Sequence, residues 1–121
     1  MNFTPDKAIY LQIADRICDQ ILAGEYASDT RIPSVREYAV LLEVNVNTAV
    51  KAFDQLARDE VIYIKRGLGY FVSPDAVSRI KQQRRTQFID EQLPALFRNM
   101  QLLGIGIEEV TDAWHKKMDG D

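Results

Sequence analysis

Apolar residues recur along the first part of this chain with the spacing of an α-helix. From about Asp6 or Ala8 to Leu22, four isoleucines stand four residues apart, which places them on one helical face. This face consists of Ile9, Ile13, Ile17 and Ile21, with Ala14 and Cys18 beside them. Such a face is usually buried, so we expect this helix to support the segment that follows it.

A second helix is predicted to begin at Ser34. This serine and Glu37, three residues later, match the capping-box pattern, in which each side chain accepts from the other residue's backbone amide. The helical spacing of apolar residues is then interrupted at residues 43–45, which predicts a turn. The apolar side of this second helix consists of Val35, Ala39 and Leu42.

A third helix follows, with Asn45 or Asn47 available as its N-cap. Its single apolar face consists of Ala49, Ala52, Phe53 and Leu56. Two short helices joined by a tight turn form the helix-turn-helix pattern, whose second helix presents its first turns to the DNA major groove. The same pattern also fits two packed helices of any small bundle.

The next segment is predicted to be a β-hairpin. Residues 61–64 and 70–72 are β-branched or aromatic runs, and between them lies a basic loop that contains two glycines. A basic hairpin directly after a recognition helix is typical of a wing. Lys65 and Arg66 would then lie beside phosphates or in the minor groove, and Gly67 would allow close approach of the backbone. The alternative is an ordinary hairpin loop.

Beyond the hairpin, the pattern predicts a helix that starts at Ser73-Pro74-Asp75 and ends at Gly104. Pro94 must kink or divide this helix, because proline lacks a backbone donor and clashes with the preceding turn. A last helix is predicted from about Ile107 to Met118. The predicted fold is therefore mainly α with a small β-hairpin: a winged helix-turn-helix domain over residues 1–73 and a helical dimerisation appendage over residues 74–121.

The appendage carries more apolar surface than two helices can bury alone. This excess predicts a two-fold homodimer, although these helices could instead fold back on their own winged helix. The residues expected at the dimer interface are Phe88, Leu93, Leu96, Phe97, Met100, Leu103, Val110 and Trp114.

The formal net charge of −3 is unevenly distributed. Residues 31–85 carry ten Lys and Arg against six Asp and Glu, whereas residues 1–30 carry two against five and residues 86–121 carry three against seven. Positive charge is thus concentrated on the helix-turn-helix and hairpin, which favours a polyanionic partner such as double-stranded DNA. A solvated basic face without a partner is the alternative.

Other classes of protein receive little support. No apolar run could span a bilayer and the N-terminus does not resemble a signal peptide, so we expect a cytoplasmic protein that does not bind membranes. Cys18 is the only cysteine and His115 the only histidine. These two residues lie in distant segments, and neither stands in a pattern typical of catalysis, so we expect no enzyme activity, metal site or cofactor.

Taken together, these segments resemble the GntR family of bacterial winged-helix transcription regulators. The resemblance is carried by Arg31-Ile-Pro-Ser-Val-Arg-Glu37, by Asn45-Val-Asn-Thr48 and by Lys65-Arg-Gly-Leu-Gly-Tyr-Phe-Val72. With its short C-terminal part, the chain is most similar to the YtrA-like branch. The resemblance implies DNA contacts by Arg36, Asn45, Asn47, Thr48, Arg66 and Gly67. Ser34 and Lys65 belong to the same motifs and are also expected to contact DNA. Arg31 and Lys51 are expected to do so because of their charge and position.

Three residues depart from the family's pattern. Glu43 and Glu60 stand where glycine is usual at a helix end, and each would cost on the order of 1 kcal/mol if its backbone is left-handed. Val46 stands where relatives often carry arginine or proline. It is expected at the DNA interface, where it could contact a thymine methyl group instead of making a polar contact.

The function expected is that of a sequence-specific transcription regulator, with repression as its mode. A homodimer would place its recognition helices roughly 34 Å apart, matching the half-sites of a palindromic operator. Similar regulators in this branch tend to govern transporter operons, and no effector can be identified from the sequence. The alternatives are a winged helix that binds another protein and a small enzyme, for which no polar pocket or titratable pair is evident.

Overall fold

The computed structural model describes residues 2–120. Helices α1 (Ile9–Leu22), α2 (Val35–Leu42) and α3 (Val46–Arg58) precede a hairpin of strands β1 (Ile62–Lys65) and β2 (Gly69–Val72). Helices α4 (Ala76–Gln87), α5 (Leu93–Leu103) and α6 (Ile107–Met118) follow. The two strands are antiparallel, with Ile62 opposite Val72 and Lys65 opposite Gly69. The mainly helical fold with one small hairpin confirms the predicted fold class. None of the helices described combines the length and apolar character needed to cross a bilayer.

The hydrophobic core brings together α1, α2, α3 and the hairpin. Phe53 of α3 is fully buried at its centre, with its ring 5.6 Å from that of Tyr38 and 5.1 Å from that of Tyr70, both in edge-to-face geometry. Aromatic pairs of this kind add stability beyond the area they bury. The four apolar residues predicted for the buried face of α3 are all buried.

The predicted buried face of α1 is confirmed except at its start. Five of its six residues are buried, but Ile9 is exposed because it lies in the first turn, next to a preceding segment that is itself largely exposed. The five are Ile13, Ala14, Ile17, Cys18 and Ile21.

Two helices of this region end with glutamate in the left-handed conformation. Glu43 has φ 56° and Glu60 has φ 60°. After each glutamate, the next backbone N–H donates across the helix end: Val44 to the Ala39 carbonyl at 3.0 Å and Val61 to the Leu56 carbonyl at 2.9 Å. These bonds satisfy carbonyls that the helix leaves unpaired, and they hold the glutamates in a conformation that L-residues usually avoid.

Helix α4 begins later than the sequence predicted. The expected start was Ser73-Pro74-Asp75, but these residues form a turn, and the helix begins at Ala76. Ala76 N–H donates to the Ser73 carbonyl at 3.1 Å, which closes this turn, and the carbonyl of Asp75 accepts the first full helical bond, from Arg79 N–H at 3.0 Å.

The chain forms two compact units that meet between Gln82 and Gln83. The functional boundary after Ser73 stays a prediction, and it lies before this structural division. Ala76 and Ile80 explain the difference, since both are 1% exposed and belong to the core of the winged helix.

In the second unit, the interruption predicted at Pro94 takes the form of a π-helical turn over Phe88–Gln92. Leu93 N–H donates to the carbonyl of Phe88, five residues before it, and α5 then starts with Pro94 in its first turn. Because Pro94 has no N–H, the wider turn accommodates a position where an α-helical bond is impossible. Gly104 ends α5, and α6 spans the predicted residues.

Candidate nucleic-acid interface

The N-terminus of α2 is built around Ser34. Its hydroxyl accepts from Glu37 N–H at 3.1 Å, and Glu37 Oε1 accepts from Ser34 N–H at 3.2 Å, which confirms the capping box. Hydrogen bonds from Ser34, together with the charge of nearby Arg31, lower the pKa of the Glu37 carboxyl. Ser34 therefore serves the local structure first, and its neighbour Arg36 projects from the opening turn as an exposed cation.

The start of α3 is capped by Asn45, whose Oδ1 accepts from Asn47 N–H at 2.8 Å. This bond satisfies one of the amides that every helix N-terminus leaves unpaired. The Asn45 side chain is thus engaged in capping, whereas the Asn47 side chain is exposed and makes no hydrogen bond within the described residues. Thr48 is half-buried.

Behind this cap, the exposed side of α3 carries two adjacent rows. Asn47 and Lys51, four residues apart, form a polar row, and both are exposed. Val46 and Val50, also four residues apart, form an apolar row and are 40% and 38% exposed. Residues with this separation lie on one helical face, so hydrogen-bonding and apolar groups are presented side by side.

The wing is the loop between β1 and β2. Leu68 N–H donates to the Lys65 carbonyl at 2.9 Å, which closes the loop around Arg66 and Gly67. Gly67 has φ 80° and no atom within 4 Å of the position a side chain would occupy. Its backbone is therefore open to a close partner, in a conformation that favours glycine.

Arg31 ties the wing to the start of α2. Its Nε donates to the Leu68 carbonyl at 2.9 Å, and its guanidinium lies 3.9 Å from Glu37 Oε1. Gly69 lies beside it with φ 113°, and a Cβ there would stand 3.1 Å from the Arg31 Nε, so the backbone conformation and the Arg31 side chain both favour glycine. Arg31 was predicted to bind DNA by charge and position alone, and the structure gives it a positioning contact in the wing.

Lys65 lies against an aromatic pair on one face of the hairpin. Its Nζ is 4.3 Å from the centre of the Phe71 ring, which stacks on Tyr63 at 5.9 Å. The Tyr63 hydroxyl donates to Asp29 Oδ1 at 2.8 Å, and this bond raises the tyrosine's pKa. The Lys65 side chain is exposed, and its contact with the aromatic rings favours one position beside the wing loop.

The other three cations of the predicted interface are exposed on three different elements. Arg36 on α2, Lys51 on α3 and Arg66 in the wing are exposed and form no ion pair within residues 2–120. They belong to the three elements that a winged helix presents to DNA. The structure thus places the predicted residues in two groups, one that shapes these elements and one that is free to make contacts.

Residues 9–72 match the family described as bacterial regulatory proteins, gntR family. The chain belongs to the GntR family. It is a transcriptional regulator with a DNA-binding helix-turn-helix domain, as the predicted resemblance implied.

Individual relatives cover nearly the whole chain. It is 32% identical to the HTH-type transcriptional repressor YtrA of Bacillus subtilis (strain 168) over 113 residues, which are 93% of this chain and 85% of that protein. A crystal structure assigned to a GntR-family transcriptional regulator from Bacteroides thetaiotaomicron is 47% identical, with a TM-score of 0.83, and the match covers 92% of this chain and 97% of that one. The crystal structure of AraR(DBD) in complex with operator ORX1 is 26% identical, with a TM-score of 0.54, and the match covers 60% of this chain and 93% of that one.

Within this GntR domain, sequence reasoning missed the exposure of Val50. It belongs to the same face as Val46, four residues earlier, and that spacing was the available signal. The bonds of Arg31 and Tyr63 left no such signal, because their partners lie far away in the sequence. No group of three or more His, Cys, Asp or Glu side chains within the described part of the chain could hold a metal ion.

Proposed function

We propose that this chain represses transcription as a homodimer bound to a palindromic DNA operator. DNA binding is supported most directly by the N-terminus of α3, where Asn45 caps the helix and Asn47 and Lys51 are exposed. An uncovered helix start with polar side chains and a cation is suited to the edges of bases and to phosphates in the major groove.

Charge and position extend this interface to the other elements. Arg36 and Arg66 would contact DNA from α2 and from the wing, with Lys65 beside the wing loop. Capping by Ser34 and Asn45 and the contacts of Arg31 would fix the geometry, while Val46, Asn47, Thr48 and Gly67 would approach the DNA directly. The related AraR domain was crystallised with an operator, which supports the same kind of partner here.

Exposed apolar side chains of the second unit support the homodimer. Among its described residues none is buried, although α5 and α6 contain many large apolar side chains. Apolar surface of this extent is stabilised by a second copy, and closed two-fold symmetry is the commonest arrangement. The proposed interface comprises Phe88, Leu93, Leu96, Phe97, Met100, Leu103, Val110 and Trp114.

Repression is supported by the name of a relative, since YtrA of Bacillus subtilis is a transcriptional repressor. A dimer bound over a promoter would block RNA polymerase without needing a further domain. In a reporter assay, expression of this chain should lower transcription from a promoter that carries its operator. Increased transcription would contradict this part of the proposal.

DNA binding is tested by gel shifts with an operator selected from random duplexes and with a scrambled duplex of equal length. Arg36→Ala should weaken operator binding by about 1–3 kcal/mol if Arg36 reads a base, and should weaken both duplexes alike if it contacts phosphate. Lys117→Ala removes the same charge from exposed α6 and is the matched control, with unchanged affinity expected. Equal affinity of the unaltered protein for both duplexes would contradict sequence-specific binding and favour a protein partner.

A further inference from the structure

The apolar row on α3 is not explained by the packing of the chain. Val46 and Val50 are 40% and 38% exposed, whereas the opposite side of the helix is fully buried. They occupy the first and fifth positions of α3, in the part of the helix proposed to enter the major groove.

Helix stability does not favour valine at these positions either. A β-branched side chain loses rotamer freedom in a helix, and at an exposed position it recovers little of that cost by packing. Alanine or glutamate would stabilise the same positions better. Two valines in the first five positions therefore suggest a role outside the folded monomer.

The surroundings of the valines favour DNA as the partner. The adjacent row on the same exposed side carries Asn47 and Lys51, and Lys51 forms no ion pair within residues 2–120. A free cation and an amide beside a narrow apolar row complement a negatively charged groove that contains small apolar groups. A hydrophobic protein surface would leave this cation without compensation.

The major groove offers one group of this kind, the 5-methyl group of thymine. Val46 and Val50 are separated by one helical turn, about 6 Å along the axis, and base pairs are spaced about 3.4 Å apart. The two side chains can therefore reach methyl groups that lie within about two base-pair steps.

We propose that Val46 and Val50 form a thymine-methyl reader, so that each half-site of the operator contains thymines one or two base pairs apart. This inference rests on the proposed function, because it requires that α3 lies in the major groove. Val50 is thereby proposed to determine specificity, and Val46 is proposed to act together with it.

The test replaces single thymines of the selected operator with deoxyuridine, which removes only the methyl group and leaves every hydrogen-bonding group in place. Dissociation constants of the full-length chain are measured by fluorescence anisotropy. At contacted positions we expect about fourfold weaker binding for each methyl removed, from the usual value of burying one such group. Other positions should be unaffected.

Variants assign each methyl to a side chain. In Val50→Ala, one of the sensitive thymines should become indifferent to deoxyuridine, and in Val46→Ala the other should. Val77→Ala is the matched control, because Val77 is also 40% exposed but lies on α4, and it should keep the full sensitivity of the unaltered chain. Circular dichroism verifies that each variant is folded.

The possible outcomes separate the two proposals. If no duplex is enriched in the selection, DNA binding and the methyl reader both fail. If an operator is selected but deoxyuridine has no effect, or if its effect is the same in all variants, the methyl reader alone is overturned. A sensitivity that disappears only in Val46→Ala and Val50→Ala supports it.

Discussion

The two compact units differ in where their large apolar side chains lie. In the first unit they form a continuous core around Phe53, and the surface carries the cations and amides of the proposed DNA interface. In the second unit they are exposed or half-exposed, and no described residue is buried. The first unit is therefore stabilised by internal packing, whereas the second leaves its large apolar side chains at least partly exposed to solvent.

The largest expected effect comes from deleting the same side chain in each unit. Phe53→Ala should destabilise the chain by about 3–5 kcal/mol at any protein concentration, since it leaves a cavity between Tyr38 and Tyr70. Phe97→Ala, at a site 48% exposed, should cost about 1 kcal/mol or less in dilute protein and more as concentration rises. Urea unfolding at several protein concentrations measures both. A concentration-independent loss of equal size at the two positions would contradict the comparison.

The second prediction concerns association. Phe97→Glu should raise the dimer dissociation constant by about 30-fold or more, because a charge would replace an aromatic anchor at the proposed interface. Leu41→Glu is the matched control, placing the same charge at an exposed leucine of α2, and it should leave association unchanged. Sedimentation equilibrium measures both variants. Loss of the dimer in Leu41→Glu alone would place the interface on the first unit.

A third effect tests the polar part of the first core. The buried Tyr38 hydroxyl lies 2.6 Å from the Tyr26 hydroxyl and donates to Gln20 Oε1 at 3.0 Å. Tyr38→Phe removes both hydrogen bonds and should cost about 1–2 kcal/mol near neutral pH, measured by urea unfolding.

The same tyrosine predicts a pH dependence. Burial, and then the hydrogen bond with Tyr26, raise the pKa of Tyr38. In the unfolded chain it ionises near about pH 10, so its contribution to stability is complete below that pH and is lost as pH rises further. Between about pH 9 and 11, Tyr38→Phe should lose less stability than the unaltered chain. Parallel losses in the two proteins would contradict this assignment.

The smallest expected effect concerns the left-handed residue that ends one helix in each unit. Glu43 ends α2 with φ 56°, and Gly104 ends α5 with φ 69°. Glu43→Gly should stabilise the chain by about 1 kcal/mol, because glycine adopts this conformation without strain. Glu60→Gly should gain less, since it also removes the ion pair of Glu60 with Arg79 at 2.8 Å. Thermal unfolding measures both, and destabilisation by Glu43→Gly would refute the strain argument.

The sequence predicted those parts of the fold that depend on neighbouring residues. Capping at Ser34, the buried face of α3 and the division near Pro94 follow from local patterns, and the structure confirms them. The start of α4 was placed too early, since Ser73-Pro74-Asp75 is equally compatible with a turn. Local patterns also do not determine whether the first turn of a helix is buried, as the exposed Ile9 of α1 shows.

The sequence predicted which residues form the candidate site, but not which of them are held by intramolecular contacts and which are available to a partner. The sequence identified Arg31, Lys65 and Arg66 alike as basic residues near the wing. Only the folded chain shows that Arg31 bonds the Leu68 carbonyl and Lys65 lies over Phe71, while Arg66 stays free of ion pairs within the described residues. Such contacts depend on the three-dimensional approach of distant segments, which no periodicity encodes.

A dimeric repressor of a palindromic operator must bind DNA with sequence specificity and with two chains per operator. Titration of a selected operator at increasing salt measures both, with a scrambled duplex of equal length as reference. We expect two chains on each operator, half-site centres about one helical turn apart, and a linear fall of log affinity with log salt concentration. Equal affinity for the operator and the scrambled duplex, or one chain bound per operator, would contradict sequence-specific binding by a dimer.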